Sequence, residues 1–197
     1  MPGYQSVPSE SDEFFMPDRA SWRAWLAENH DKRSSVWLVF HKKSSPTESI
    51  DYESAVLEAL CFGWIDSKMQ RIDSERHRQY YSVRKPDSTW SGLNKRRVTE
   101  LEGAGLMTRA GKAAVDVAKG NGAWEFLDEI EALVVPGDLA EALDASRGAR
   151  EAYDDFSASK KRAVLFWIKQ TKRATTRASR IATTAEAASR GKTPLDQ

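Results

Sequence analysis

The sequence predicts an α+β fold: a small antiparallel sheet with N-terminal helices, followed by a helical C-terminal half. Short segments in the first half alternate and are rich in β-branched and aromatic side chains, which is typical of strands. From Ser91 onward, apolar side chains recur at helical spacing. A hydrophobic content of 40% with 10% aromatic residues fits a globular core.

The first half reads as helix, strand, helix and hairpin. Asp18 begins a helix that ends near His30, and Asp51 begins a second helix that Gly63 ends. Both faces of the strand 35–42 are apolar, so this strand is expected to be central or well covered. Strands 65–72 and 77–84 form a hairpin around a turn at 73–75, because Asp, Ser and Glu follow one another there.

The second half reads as a series of helices. Ser91 is expected to cap the first of them. The predicted helices cover residues 92–102, 108–119, 136–146, 150–156, 157–170 and 173–189. We expect one domain, residues 14–192, made of an α+β lobe (14–90) and a helical lobe (91–192), with disordered tails at 1–13 and 193–197.

Composition indicates the compartment. The single cysteine, Cys61, cannot form an internal disulfide, which fits a reducing environment. The N-terminal residues lack the basic and apolar regions of a signal peptide. The longest apolar run, residues 163–168, is far too short to span a bilayer. We therefore expect a cytoplasmic protein without membrane insertion.

The net charge of +1 conceals four blocks of alternating sign. Residues 1–67 carry a net charge of −5, residues 68–97 of +6, residues 98–156 of −8 and residues 157–192 of +9. Such blocks indicate either an electrostatic fit within the molecule or an exposed basic surface for an anionic partner.

Three segments resemble the YdeI/OmpD-associated family, also called bacteriocin-protection proteins. They are Cys61–Ser67, Arg84–Asn94, and the C-terminal Trp167–Ile168 with Lys172–Arg177 and Arg180–Ile181. The resemblance extends over about residues 20–190. It implies a link to bacteriocin protection or envelope stress, and it supplies no catalytic residues.

The segment 84–94 is the main candidate for a binding site. Two cations, hydroxyl groups and the start of a helix come together here, which is a common way to hold an anion. The alternative is that the serines cap the turn and helix while the tryptophan anchors the loop. The candidate ligand-binding residues are Trp64, Asp66, Arg84, Lys85, Ser88, Trp90, Ser91 and Asn94.

A second candidate surface is basic. Lys169, Arg173, Arg177 and Arg180 recur at a spacing that places them on one face of a helix. This face either follows a phosphate backbone or docks on the acidic segment 125–155.

The family resemblance implies a non-catalytic binding protein, and the segment 84–94 suits a small anionic ligand or a protein partner. The alternative is a protein that binds nucleic acid or a nucleotide through the basic helix, and an enzyme of unrecognised type comes third. No catalytic residue, metal or cofactor is expected, because the three histidines are scattered without ligand spacing. Asp66 is expected to cap a turn or pair with an arginine, and Cys61 to pack as a small apolar side chain.

Overall fold

The structure is a computed structural model that describes residues 13–196. It divides into two compact units, and the boundary lies between Trp124 and Glu125. This division comes later than the lobe boundary predicted at residue 90, because the helices that follow Ser91 bury Val98 and Val115 in the core of the first unit.

The first unit contains a four-stranded sheet of order β1-β2-β4-β3. Its strands are β1 (Glu13–Phe15), β2 (Ser35–His41), β3 (Trp64–Arg71) and β4 (Arg76–Val83). The prediction that residues 35–42 form a central or well-covered strand is confirmed.

The antiparallel sheet was predicted correctly for β2, β3 and β4, whereas β1 pairs with β2 in parallel. This strand was missed because three residues are too few to show a period. The tail predicted for residues 1–13 lies outside the described residues except for Glu13, which belongs to β1.

Four helices accompany this sheet in the described part of the unit, and each begins at a side-chain cap. They are α1 (Arg19–Asn29), α2 (Tyr52–Cys61), α3 (Gly92–Gly103) and α4 (Arg109–Asn121). Asp18, Asp51, Ser91 and Thr108 each accept a hydrogen bond from the backbone N–H three residues later. Gly63 ends the second helix as predicted, with a φ of 74° that glycine adopts without a steric penalty.

The core of the first unit joins the helices to the sheet. Trp22 of α1 and Trp64 of β3 are fully buried, as are Leu38 of β2 and Tyr81 of β4. Helices α2 and α4 approach closely: a Cβ atom added at Gly111 would lie 2.3 Å from the carbonyl oxygen of Cys61. Glycine at position 111 therefore permits this contact.

The second unit is helical in its described part. Its helices are α5 (Asp128–Glu131), α6 (Gly137–Ala145), α7 (Ala149–Asp154), α8 (Ala158–Lys169) and α9 (Ala174–Ala188). The single-turn α5 was not predicted, and the other four were. Leu139, Leu143 and Tyr153 are fully buried in the core of this unit.

The last described residues form a turn where the sequence predicted a tail. Thr193 is buried, and its backbone N–H donates to Asp196 Oδ2 at 2.8 Å. Among residues 13–196, every helix is too short or too polar to cross a membrane.

Candidate functional site

The segment 84–94 connects the end of β4 to the first turn of α3. The backbone N–H of Arg84 donates to the carbonyl oxygen of Gly63 at 2.9 Å, which fixes the start of the connection beside β3. The loop is closed by the N–H of Ser88, which donates to the carbonyl oxygen of Lys85 at 3.0 Å. Ser91 then begins α3 by accepting from the N–H of Asn94 at 3.3 Å.

Arg84 is buried at the base of this loop, with 7% of the residue exposed. The guanidinium carbon lies 3.6 Å from the ring centroid of Trp90, which is itself buried. Nη2 donates to the carbonyl oxygen of Thr89 at 3.2 Å. Nε is shielded from solvent and has no hydrogen-bond partner among the described residues.

Two other charged side chains in the described part of the chain are buried, and both have partners of opposite charge. Glu58 accepts from Arg19 at 2.5 Å and from Arg23 at 2.6 Å. Arg97 donates through Nε to Glu53 at 2.8 Å. Arg84 differs, because no carboxylate of the described residues forms an ion pair with it.

The burial of Arg84 changes its acidity. Desolvation lowers the pKa of the guanidinium to about 10, and the nearby carboxylate of Asp66 opposes this change only in part. Asp66 Oδ2 already accepts from the hydroxyl group of Tyr52 at 2.8 Å and from Gln79 Nε2 at 3.1 Å. Its charge therefore acts on Arg84 from a distance.

Two further buried donors of the same unit have no partner among residues 13–196. Tyr81 lies directly opposite Asp66 in the β3–β4 ladder, and its hydroxyl group has no hydrogen-bond partner among the described residues. Burial raises the pKa of Tyr81 well above its usual range, so this hydroxyl group remains protonated. Trp90 Nε1 is likewise buried without an acceptor.

The remaining predicted residues have structural contacts or lie on the surface. Trp64 is a core residue whose Nε1 donates to the carbonyl oxygen of His30 at 3.3 Å. Asn94 Oδ1 accepts from Arg97 Nη1 at 2.8 Å. Lys85 is exposed, Ser88 is half-buried, and Ser91 is the helix cap that was predicted as the alternative role. The structure thus groups Arg84 with Trp90 and brings Asp66 within electrostatic range.

Sequence reasoning missed Tyr52, Gln79 and Tyr81. Tyr52 and Gln79 donate hydrogen bonds to the carboxylate of Asp66, and Tyr81 lies opposite it. These residues come from α2 and β4, so no local pattern around Asp66 indicates them. A double tyrosine at 80–81 in a predicted strand was the available signal, since buried tyrosines usually find partners for their hydroxyl groups.

A buried ionic cluster around Glu58 was also missed. Arg23 bonds to Glu58, and its Nη2 donates to the carbonyl oxygen of Leu106 at 2.9 Å. Burial raises the pKa of the Cys61 thiol, and the neighbouring Arg23 opposes this change. Cys61 is fully buried in the core, as its place in the helical pattern predicted.

The basic face of the second unit requires a correction. The four cations were predicted on one helix, but Lys169 ends α8 whereas Arg173 is the extended residue before α9. The break arises because the hydroxyl group of Thr171 donates to the carbonyl oxygen of Ile168 at 2.8 Å and closes the end of α8. Arg177 and Arg180 do lie on α9.

Part of this face is docked on the acidic segment 125–155. Lys169 pairs with Glu129 at 2.8 Å, and Arg177 pairs through Nε with Asp138 at 2.7 Å. Arg180 instead stacks on the ring of Trp167 at 4.7 Å. Arg173 is exposed, with no ion pair to the described residues. Within residues 13–196, no group of three or more His, Cys, Asp or Glu side chains is placed to hold a metal.

The fold and the site define an α+β protein of two compact units. The first unit contains a buried arginine that forms no ion pair with a carboxylate of the described residues. Residues 14–114 match the model of a family described as a domain of unknown function, DUF8412. Residues 132–191 match the model described as "Bacteriocin-protection, YdeI or OmpD-Associated".

The chain therefore belongs to the DUF8412 family over its first half and carries a YdeI/OmpD-associated domain in its second. Of the segments on which the resemblance was recognised, Cys61–Ser67 and Arg84–Asn94 lie in the first match and the C-terminal segment lies in the second. Neither the curated proteins nor the solved structures contain a significant match.

Proposed function

We propose that this chain is a non-catalytic binding protein of the YdeI/OmpD-associated type, and that its first unit binds a small anion at the strand-loop-helix segment 84–94. The observation that carries the proposal is the buried guanidinium of Arg84, which has no carboxylate partner among the described residues.

The excess of donors supports an acceptor as the ligand. A buried donor left without a partner costs about 1–3 kcal/mol, and the cost is larger for a charged group. Arg84 Nε, Trp90 Nε1 and the hydroxyl group of Tyr81 are all in this condition. A bound anion at Arg84 would supply the missing acceptor and neutralise the charge.

The geometry of arginine favours a planar or tetrahedral oxyanion. Nε and an Nη atom present two parallel N–H groups that match the two oxygens of a carboxylate or phosphate. Because the negative charge of Asp66 acts on the same place, a monoanion such as a carboxylate is favoured over a dianion. The exposed residues 85–87 follow Arg84 directly, so displacement of this loop would open the guanidinium to a ligand.

Calorimetric titration with acetate and with inorganic phosphate, at constant ionic strength, tests the proposal. We expect the wild-type protein to bind at least one of the two, and Arg84→Met to bind it roughly ten- to hundredfold more weakly, as the loss of a charged hydrogen bond implies. Arg96→Met is the matched control, because Arg96 is exposed on the neighbouring helix. Equal affinities in the wild type and Arg84→Met, or no binding at all, would refute the site.

The second candidate function, binding of nucleic acid by the basic face, is favoured by the exposed cations that precede α9. Lys172 and Arg173 are exposed, whereas Lys169 and Arg177 already have carboxylate partners. A gel shift with single- and double-stranded DNA would test this candidate. Binding that weakens steeply with salt, and that is lost in the triple variant Arg173→Ala, Arg177→Ala, Arg180→Ala, would support it.

A link to bacteriocin protection rests on the family description of residues 132–191. Expression of the chain in a bacteriocin-sensitive strain tests that link separately from the anion site. Survival that requires the chain, compared between wild type and Arg84→Met, would reveal whether the anion site contributes.

A further inference from the structure

A separate cleft in the first unit lies among the beginnings of α1 and α2, the loop 42–50, the end of β2 and the beginning of β4. Its volume is about 660 Å³, which is within the range that suits small organic ligands and cofactors. None of the predicted ligand-binding residues lines it. Its walls come from distant parts of the sequence, which explains why no local pattern indicated it.

Two stacked aromatic rings, those of Phe40 and His77, line this cleft. Phe40 is buried, and the ring of His77 stacks on it with a centroid separation of 5.2 Å and an angle of 11° between the planes. Burial lowers the pKa of His77, which favours the uncharged ring at neutral pH. A stacked pair of this kind offers a surface on which another planar ring can lie.

The rim of the cleft carries two lysines that form no ion pair with the described residues. Lys42 and Lys43 are exposed, and neither ammonium group pairs with a carboxylate of the described residues. Glu48 also lines the cleft and offsets one of these charges.

The other acids at the cleft are committed to helix caps. Asp18 accepts from the N–H of Ser21 at 2.7 Å, and Asp51 accepts from the N–H of Ser54 at 2.9 Å. These bonds lower the pKa of both carboxylates, which remain bound to the amides of their own helices. Both carboxylates remain charged, and together with Glu48 they balance the three cations of the lining, Arg19, Lys42 and Lys43. Arg19 pairs with Glu58, so Lys42 and Lys43 are the lining cations without a carboxylate partner among the described residues.

We infer that this cleft binds a planar ring that carries an anionic group, and that a mononucleotide is the representative ligand. The ring lies against His77 and Phe40, and the anionic group reaches Lys42 and Lys43. Ser45, Ser49 and Tyr52 also line the cleft. The hydroxyl group of Ser49 donates to the carbonyl oxygen of Ile50 at 3.2 Å and that of Tyr52 to Asp66 at 2.8 Å, so the ring and the anionic group carry the recognition. The inference does not depend on Arg84, which lies outside the cleft.

Calorimetric titration with AMP, ribose 5-phosphate and adenosine separates the contributions of the ring and the phosphate. We expect AMP to bind, and ribose 5-phosphate and adenosine to bind at least about tenfold more weakly, because each lacks one of the two contacts. The double variant Lys42→Ala, Lys43→Ala should lower the affinity for AMP by roughly tenfold and leave that for adenosine unchanged.

The matched control is Lys32→Ala, Lys112→Ala, which removes two exposed lysines of the same unit that do not line the cleft. This control and Arg84→Met should both bind AMP like the wild type. The inference is overturned if AMP does not bind, if ribose 5-phosphate binds as well as AMP, or if the control variant loses as much affinity as the Lys42, Lys43 variant.

Discussion

Replacement of Arg84 by methionine distinguishes a ligand-binding arginine from a structural one. A buried arginine that anchors the loop should stabilise the protein whether or not an anion is present. A buried arginine whose role is to bind an anion should contribute little to the stability of the ligand-free protein. The cost of its desolvation offsets the favourable energy of the contacts that it makes. Methionine keeps the unbranched inner part of the side chain without the charge and packs well on an aromatic ring.

The contacts of Arg84 determine how much Arg84→Met should change the free energy of unfolding. The pKa of Arg84 falls from 12.5 to about 10, which corresponds to a penalty of about 3 kcal/mol on the charged form. Against this stand a desolvated contact with Trp90, worth about 2 kcal/mol, and a hydrogen bond to Thr89, worth about 1 kcal/mol. These contributions nearly cancel, so Arg84→Met should change the free energy of unfolding by no more than about 1 kcal/mol.

Urea unfolding in chloride buffer at neutral pH measures this change, with Arg96→Met as the exposed control. In a separate thermal scan, a change of 1 kcal/mol in the free energy of unfolding would shift the melting temperature of a chain of this size by about 2–4 °C. If Arg84→Met loses about 3 kcal/mol or more while Arg96→Met does not, Arg84 is a structural anchor and the anion-site reasoning is wrong. A small change combined with lost anion binding is the outcome that we expect.

Three further perturbations test the packing and the ionisation of the fold. Gly111→Ala should destabilise the protein by about 3 kcal/mol because its Cβ atom would overlap the backbone of α2. The control, Gly120→Ala in the same helix, has open space and should stabilise the protein by about 0.5–1 kcal/mol. Similar shifts of the melting temperature in the two variants would contradict the close contact between α2 and α4. Glu58→Gln should lower the free energy of unfolding by about 2 kcal/mol in urea because a buried carboxylate loses two charged hydrogen bonds, and a loss below about 0.5 kcal/mol would be inconsistent with that role. Desolvation raises the pKa values of Tyr52 and Tyr153 to about 12, above an unfolded value near 10, and for Tyr52, which is 46% exposed, the hydrogen bond to Asp66 adds to the effect. Their stabilising contribution is therefore complete below about pH 10 and is lost as the pH rises towards about 12. Urea titrations of Tyr153→Phe and the wild type across this range should show a smaller loss of stability in the variant.

The elements of the fold could largely be predicted because their signals are local. Asp18 and Asp51 each stand three residues before the backbone N–H that they cap, so the beginnings of α1 and α2 follow from the sequence. Gly63 marks the end of α2 through its positive φ. β1 could not be predicted, because a parallel pairing with a distant strand leaves no trace in three residues.

The arrangement around Asp66 depends on a register shift that the sequence does not reveal. Met69 pairs with Gln79, and the same register continued along the hairpin would pair Asp66 with Ser82. An irregularity between Asp66 and Met69 pairs it with Tyr81 instead. Because a shift by one residue exchanges the two faces of a strand, neither the partner of Asp66 nor the burial of the tyrosine could be derived from alternation alone.

The alternating charge blocks correspond to ion pairs within each unit. In the first unit, Arg97 of the basic block 68–97 pairs with Glu53 of the acidic block before it. In the second unit, Arg177 of the block 157–192 pairs with Asp138. These pairs support the electrostatic fit within the molecule that the sequence left open as one of two alternatives.

Because the charges are largely matched within each unit, Arg84 is the cation of the basic block 68–97 whose replacement best tests for a bound anion. Partly exposed pairs contribute about 0–1 kcal/mol each, so the loss of one would hardly affect the fold. The desolvation of a buried guanidinium without a carboxylate opposes folding, and its stacking and its single hydrogen bond together only offset that cost. Occupation by an anion reverses the balance, because the anion neutralises the charge and accepts from Nε. A ligand bound there would therefore stabilise the first unit more than the number of its contacts suggests, and Arg84→Met should abolish that stabilisation.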